Sequence, residues 1–133
     1  MRWLFPLFFL MSVISVSAGS GECQISLRHK AGSGLEGWTE AKYRHSKGAW
    51  MNGTLAVRKE KGDIQLFQAQ YAFIVGWDFC RNDTCVVIQS QNSHGPYYWQ
   101  LFDLSTGKLK EDFFPYKADK FPDWVIDFTE QLK

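Results

Sequence analysis

The sequence predicts a mostly β domain, an antiparallel meander or small barrel of about seven strands with a short C-terminal helix. Three observations carry this. Short runs of alternating apolar and polar residues recur between turn formers over residues 24–113. Two of these runs are joined by a tetrapeptide flanked by cysteines, the pattern of a stapled hairpin. Helical spacing of apolar residues comes last, in 121–132.

The N-terminal stretch stands apart from the rest. Arg2 is the single charge before Glu22, and an apolar run over 3–16 leads into Ser17-Ala18-Gly19-Ser20. A short positive start, an apolar core and small residues at a cleavage point form an export signal. Val16-Ser17-Ala18 places cleavage after Ala18, giving a signal peptide over 1–18 and a single β-rich domain over 19–133. The apolar run is shorter than the roughly 20 residues a spanning helix needs, and Pro6 weakens it further as an anchor. Glu22 before Cys23 argues against a lipoprotein, whose signal places a small residue there. The expected location is therefore secreted or periplasmic, with no membrane attachment once the signal is removed.

The first strand is expected over 24–30, with Ile25 and Leu27 alternating against polar neighbours. Residues 31–37 read as a glycine-rich loop, 38–45 as a weaker strand, and Gly48 and Asn52-Gly53 as breaks before a strand over 54–58. Lys61-Gly62-Asp63 turns the chain into 64–67. Residues 64–75 also fit helical spacing through Ile64, Phe67, Tyr71 and Ile74; one bent strand or two is the preferred reading.

The clearest local unit follows. Strand-like runs over 71–79 and 86–91 flank Cys80-Arg81-Asn82-Asp83-Thr84-Cys85. If Cys80 faces Cys85, Phe79 lies opposite Val86, Trp77 opposite Ile88 and Val75 opposite Ser90. Alternation then gathers Phe73, Val75, Trp77, Phe79, Val86 and Ile88 on one apolar face, with Cys80, Asp78, Gly76, Cys85, Val87 and Gln89 on the other. An oxidising compartment favours a Cys80–Cys85 disulfide. The short loop limits its contribution to about 2 kcal/mol. Cys23 is left over: free, paired between chains, or competing for one of the others. A second hairpin is expected from 97–104, Ser105-Thr106-Gly107-Lys108 and 109–113. In the last segment Trp124, Val125, Phe128 and Leu132 share a helical face, with Pro122 and Asp123 suited to its first turn, so a short helix should cover a face or edge of the sheet.

Composition excludes more than it assigns. Taking away 1–18 removes one of 15 basic residues and none of 14 acidic ones, leaving a formally neutral domain. A nucleic-acid binder carries a basic excess, and a charge-driven membrane binder does too. The remaining aromatic load of five Trp, five Tyr and eight Phe suits the core of a small domain.

The motifs that invite chemistry fail on context. Gly32-Ser33-Gly34-Leu35-Glu36-Gly37 matches G-x-G-x-x-G but lacks the strand before and helix after that a dinucleotide needs. No cofactor is expected. Cys80, Cys85 and His94 could be thought of as metal ligands, but zinc sites pair cysteines with a second ligand pair that is missing, so no metal site is expected. His94 with Asp78 or Asp103 is the nearest thing to an acid–base set, and nothing in the spacing joins them. No catalytic residues are therefore assigned. Asn52-Gly53-Thr54 and Asn82-Asp83-Thr84 match the N-glycosylation acceptor, which matters only in a eukaryotic secretory chain.

The candidate contact residues are His94, Tyr97, Tyr98 and Trp99, in a loop that combines a titratable group with large rings. Alternation sends Tyr98 and Trp99 to opposite faces, so one of them should be core. The sequence thus favours a small exported non-catalytic module that recognises another protein, of inhibitor or immunity type. The alternatives are a carrier or carbohydrate binder holding a small apolar or sugar ligand, and then an enzyme.

Overall fold

The computed structural model describes residues 23–30, 34–44, 48–60, 62–115 and 120–131, with the backbone alone for 23–30, 43, 44, 49 and 131. The expected signal peptide over 1–18, His45 and Leu132 lie outside the described residues, as do the side chains of Cys23 and His29.

The described chain forms eight antiparallel strands and one helix: β1 (Cys23–Lys30), β2 (Glu36–Arg44), β3 (Ala49–Arg58), β4 (Ile64–Gln68), β5 (Phe73–Cys80), β6 (Cys85–Gln91), β7 (Tyr98–Asp103), β8 (Leu109–Phe113) and α1 (Asp123–Gln131). They make two four-stranded meanders, β1-β2-β3-β4 and β5-β6-β7-β8, each in sequence order. This is the meander form of the expected fold, and no closed barrel forms among the described strands.

The two sheets pack face to face. Leu55, Val57 and Phe67 from the first meet Ile74, Trp77, Phe79, Val86, Ile88 and Phe102 from the second in one apolar cluster. The opposite face of the second sheet is also covered. There Cys85, Val87, Trp99, Leu101 and Phe113 form a second cluster with Trp124, Val125 and Phe128 of α1. Sheet, sheet and helix are therefore three layers, and β6 is buried along nearly its whole length. The hairpin face that carries the cysteines is thus the one α1 covers, with Val87 buried beneath the apolar stripe of the helix. Trp124 Nε1 donates to Glu111 Oε1 at 3.0 Å and ties the helix to β8.

The ambiguous segment 64–75 resolves as strand. It contributes β4 and the start of β5, with 69–72 crossing between the sheets. The amides of that link are held by side chains of the second sheet: Gln70 N donates to Gln100 Oε1 at 2.9 Å and Tyr71 N to Ser90 Oγ at 3.3 Å. This accounts for Ser90 and Gln100 being buried polar residues, since an interior polar group must find a partner.

Three local expectations are corrected. In the β5–β6 hairpin Cys80 pairs with Cys85, Phe79 with Val86 and Trp77 with Ile88, but Ile74, not Val75, faces Ser90. A bulge at Val75 shifts the register, so Val75 is 45% exposed while Ile74 enters the core. The Ile74 carbonyl accepts from Asn52 Nδ2 at 3.0 Å. Asn52-Gly53 lies inside β3 rather than at a break. A Cβ on Gly53 would lie 3.2 Å from the Ala72 carbonyl oxygen, so the glycine lets 69–72 approach. Glu36-Gly37 begins β2 rather than ending a loop. The Trp77 ring rests on Gly37, where an added Cβ would lie 2.6 Å from its Cη2.

Candidate functional site

The topology sorts loops to two ends of the sandwich. The β5–β6 tip and the β7–β8 turn share one end, since Leu104 N donates to the Thr84 carbonyl at 3.0 Å. The β6–β7 loop over 92–97 and the C-terminal end of β8 lie at the other.

That second end is aromatic on both faces of β7. On the inter-sheet face the Tyr98 ring lies 5.7 Å from Tyr71 and 6.0 Å from Phe114. Its hydroxyl donates to the Asp112 carboxylate. Desolvation, then this bond to Asp112, pushes the Tyr98 phenol up to about 12. On the helix face Trp99 lies 5.9 Å from each of Phe113, Tyr97 and Phe121, and Phe113 lies 4.8 Å from Phe121. Trp99 and Phe113 are buried, whereas Tyr97 is 42% and Phe121 40% exposed. Two rings thus meet solvent while packed on two that are buried. The loop is braced by Gln91 Nε2 donating to the Gly95 carbonyl at 2.7 Å. Gly95 has φ 110°, a conformation that suits glycine.

Of the four contact residues named from sequence, His94 and Tyr97 are exposed, Tyr98 is half-buried and Trp99 is core. Trp99 is withdrawn from the contact set: pairing with Phe113 and the approach of α1 leave it as the floor of the patch. Sequence reading missed Tyr71, Phe114 and Phe121. Phe121 precedes Pro122 outside any strand pattern, and only tertiary packing returns it to Trp99.

Beside this end a cleft of about 370 Å³ opens between β3 and the 69–72 link, lined by Glu40, Lys42, Thr54, Gln68, Gln70 and Tyr71 among others. Its shape is fixed by Thr54 Oγ1 donating to Gln68 Oε1 and Gln68 Nε2 to the Gly53 carbonyl, both at 3.0 Å.

The structure does not unite the other sequence candidates. β6 separates Cys85 from the His94 loop by about 20 Å at roughly 3.3 Å per residue. Asp103 pairs with Cys85 at the far end from His94. Its carboxyl is held below the usual range by the amide and then the hydroxyl of Ser105, the pattern of a turn. Among the described residues no group of three His, Cys, Asp or Glu side chains could hold a metal ion. Asn52 uses its amide inside the fold, while Asn82 is exposed at the hairpin tip. Among the described residues no helix is long and apolar enough to cross a membrane.

No protein-family model, no curated protein and no solved structure matches this chain.

Proposed function

We propose that the chain is a small exported binding module, secreted or periplasmic, that recognises another protein through its aromatic end and performs no catalysis. Tyr97 and Phe121 form the contact surface, with His94 exposed in the same loop, while Tyr98 stands across β7 beside Tyr71. The observation that carries this is the pair of half-exposed rings of Tyr97 and Phe121 seated on buried Trp99 and Phe113. Aromatic anchors held rigidly lose little freedom on association, which is why Tyr and Trp dominate binding hot spots. Removal of 1–18 and a Cys80–Cys85 disulfide belong to the same proposal; export supplies the oxidising surroundings.

The test uses the purified exported protein as bait for proteins of its own compartment, beside a Tyr97→Ala/Phe121→Ala variant of matched stability. A partner retained by the parent and released by the variant is expected. A partner held equally by both overturns the assignment of the surface.

A second reading, a carbohydrate binder, is favoured by the polar cleft against Tyr71. Hydroxyl-rich ligands suit amide and carboxylate linings with an aromatic wall. Glycan binding lost in Tyr71→Ala and Gln70→Ala, and kept in the Tyr97→Ala/Phe121→Ala variant, would select this reading.

A further inference from the structure

The two facing cysteines differ in a way that sets an order of reaction. Cys85 is buried, 2% exposed, in the cluster beneath α1, and the Thr84 hydroxyl lies 3.7 Å from its sulfur. Cys80 is half-buried and lines a pocket of about 330 Å³ with Asp78, Arg81, Trp124, Asp127 and Phe128 among others. The two thiols are register partners on adjacent strands, and both are free. Between them Arg81, Asn82 and Asp83 are consecutive left-handed residues with φ 52°, 56° and 62°, a conformation that Asn and Asp accept more readily than Arg. Folding itself therefore brings the sulfurs together, with one open to a reagent and one shielded.

We propose that Cys80 is the site at which an external disulfide, a small thiol disulfide or an oxidoreductase of that chemistry, enters the fold, and that Cys85 is the resolving thiol. This rests on the Cys80–Cys85 disulfide proposed above. The Cys80 thiol gives its proton to solvent, and its sulfur attacks one sulfur of the external disulfide. A mixed disulfide forms, and the second external sulfur leaves as a thiolate and takes up a proton. Cys85 then loses its proton and attacks the Cys80 sulfur. The Cys80–Cys85 bond forms, and the first external sulfur leaves as the second thiol. Two protein thiols are oxidised and one external disulfide is reduced to two thiols. Burial, then the neighbouring Cys85, pushes the Cys80 thiol up to about 12 against the pull of Arg81. A thiol so held ionises reluctantly, so the first attack is slow, and access rather than acidity selects Cys80 over the shielded Cys85. The pair is made once and stays closed.

The test works in a Cys23→Ser background, which removes the third sulfur. Oxidised glutathione is the probe, and mass spectrometry with peptide mapping is the readout. Under native conditions Cys85→Ser should accumulate a glutathione adduct on Cys80. In Cys80→Ser the adduct on Cys85 should form on the order of tenfold more slowly, because reaching it needs local opening of the core. In denaturant the two should react alike. The reduced Cys23→Ser parent needs no further variant: alkylation there should label Cys80 before Cys85. Equal labelling of the two in the native protein overturns the order of attack. A parent that glutathione never converts to the internal disulfide overturns the disulfide itself.

Discussion

Gly37→Ala is expected to destabilise the domain although it adds a single methyl group. The ideal Cβ at this position lies 2.6 Å from Trp77 Cη2, 2.8 Å from Cζ3 and 3.3 Å from Phe79 Cζ. Carbon atoms rest at roughly 3.5–4.0 Å, so the overlap is close to an ångström. Trp77 is 2% exposed, and Phe79 meets it edge-on with ring centroids 5.5 Å apart, so the indole cannot swing aside freely. Overpacking of this kind costs about 1–3 kcal/mol. Alanine returns about 0.5–1 kcal/mol by reducing the entropy of the unfolded chain. The net expectation is a loss of about 1–2 kcal/mol, or a melting temperature lower by roughly 4–8 °C for a domain of this size. Thermal unfolding followed by circular dichroism measures it. Gly62→Ala is the control, because its Cβ meets a single side-chain carbon of Lys59 at 3.3 Å near the surface. Coupling with Trp77→Phe completes the test: the double variant should lose less than the sum of the two single losses, by about 0.5 kcal/mol or more. A melting temperature for Gly37→Ala equal to that of the parent, or strict additivity with Trp77→Phe, refutes the packing of Trp77 on β2.

The other expectations are more compact. Ile74→Ala should cost about 2–5 kcal/mol and Val75→Ala less than about 0.5 kcal/mol by urea unfolding, because the bulge buries the first and exposes the second; the reverse order would remove the bulge. Asn52→Ala should cost about 1–3 kcal/mol in the same assay, since the Ile74 carbonyl loses its donor in a partly buried site. Stability of the reduced protein should fall as pH rises from 9 to 12. Cys80 rises from its ordinary 9.0, and Tyr98 from 10.0, to about 12 in the fold. The folded state therefore holds protons that the unfolded chain releases, and the slope with pH is negative in that window. Urea midpoints across it should fall less steeply for Tyr98→Phe, and a slope unchanged by that substitution would contradict the environment assigned to the phenol.

Much of the architecture was legible in the chain because it is set by neighbours along the sequence. The turn Arg81-Asn82-Asp83-Thr84 and the period-2 runs beside it fixed most of the β5–β6 pairing, and Ser105-Thr106-Gly107-Lys108 fixed the next hairpin. The 3.6-residue spacing of Trp124, Val125 and Phe128 fixed α1. Half of the aromatic end was legible as well: His94, Tyr97 and Tyr98 fall in a loop and the strand after it, and those residue types announce themselves.

What the sequence could not determine depends on groups brought together from a distance. The bulge at Val75 has its freed carbonyl met by Asn52, 22 residues back. Gly37 looks like a loop residue until Trp77 is laid across it. Trp99 and Tyr97 carry the same hot-spot composition, and the approach of α1 and Phe121 alone decides that one is floor and the other surface. Alternation along a strand assigns a side chain to a face, but whether that face meets water or another layer is settled only when the layers stack.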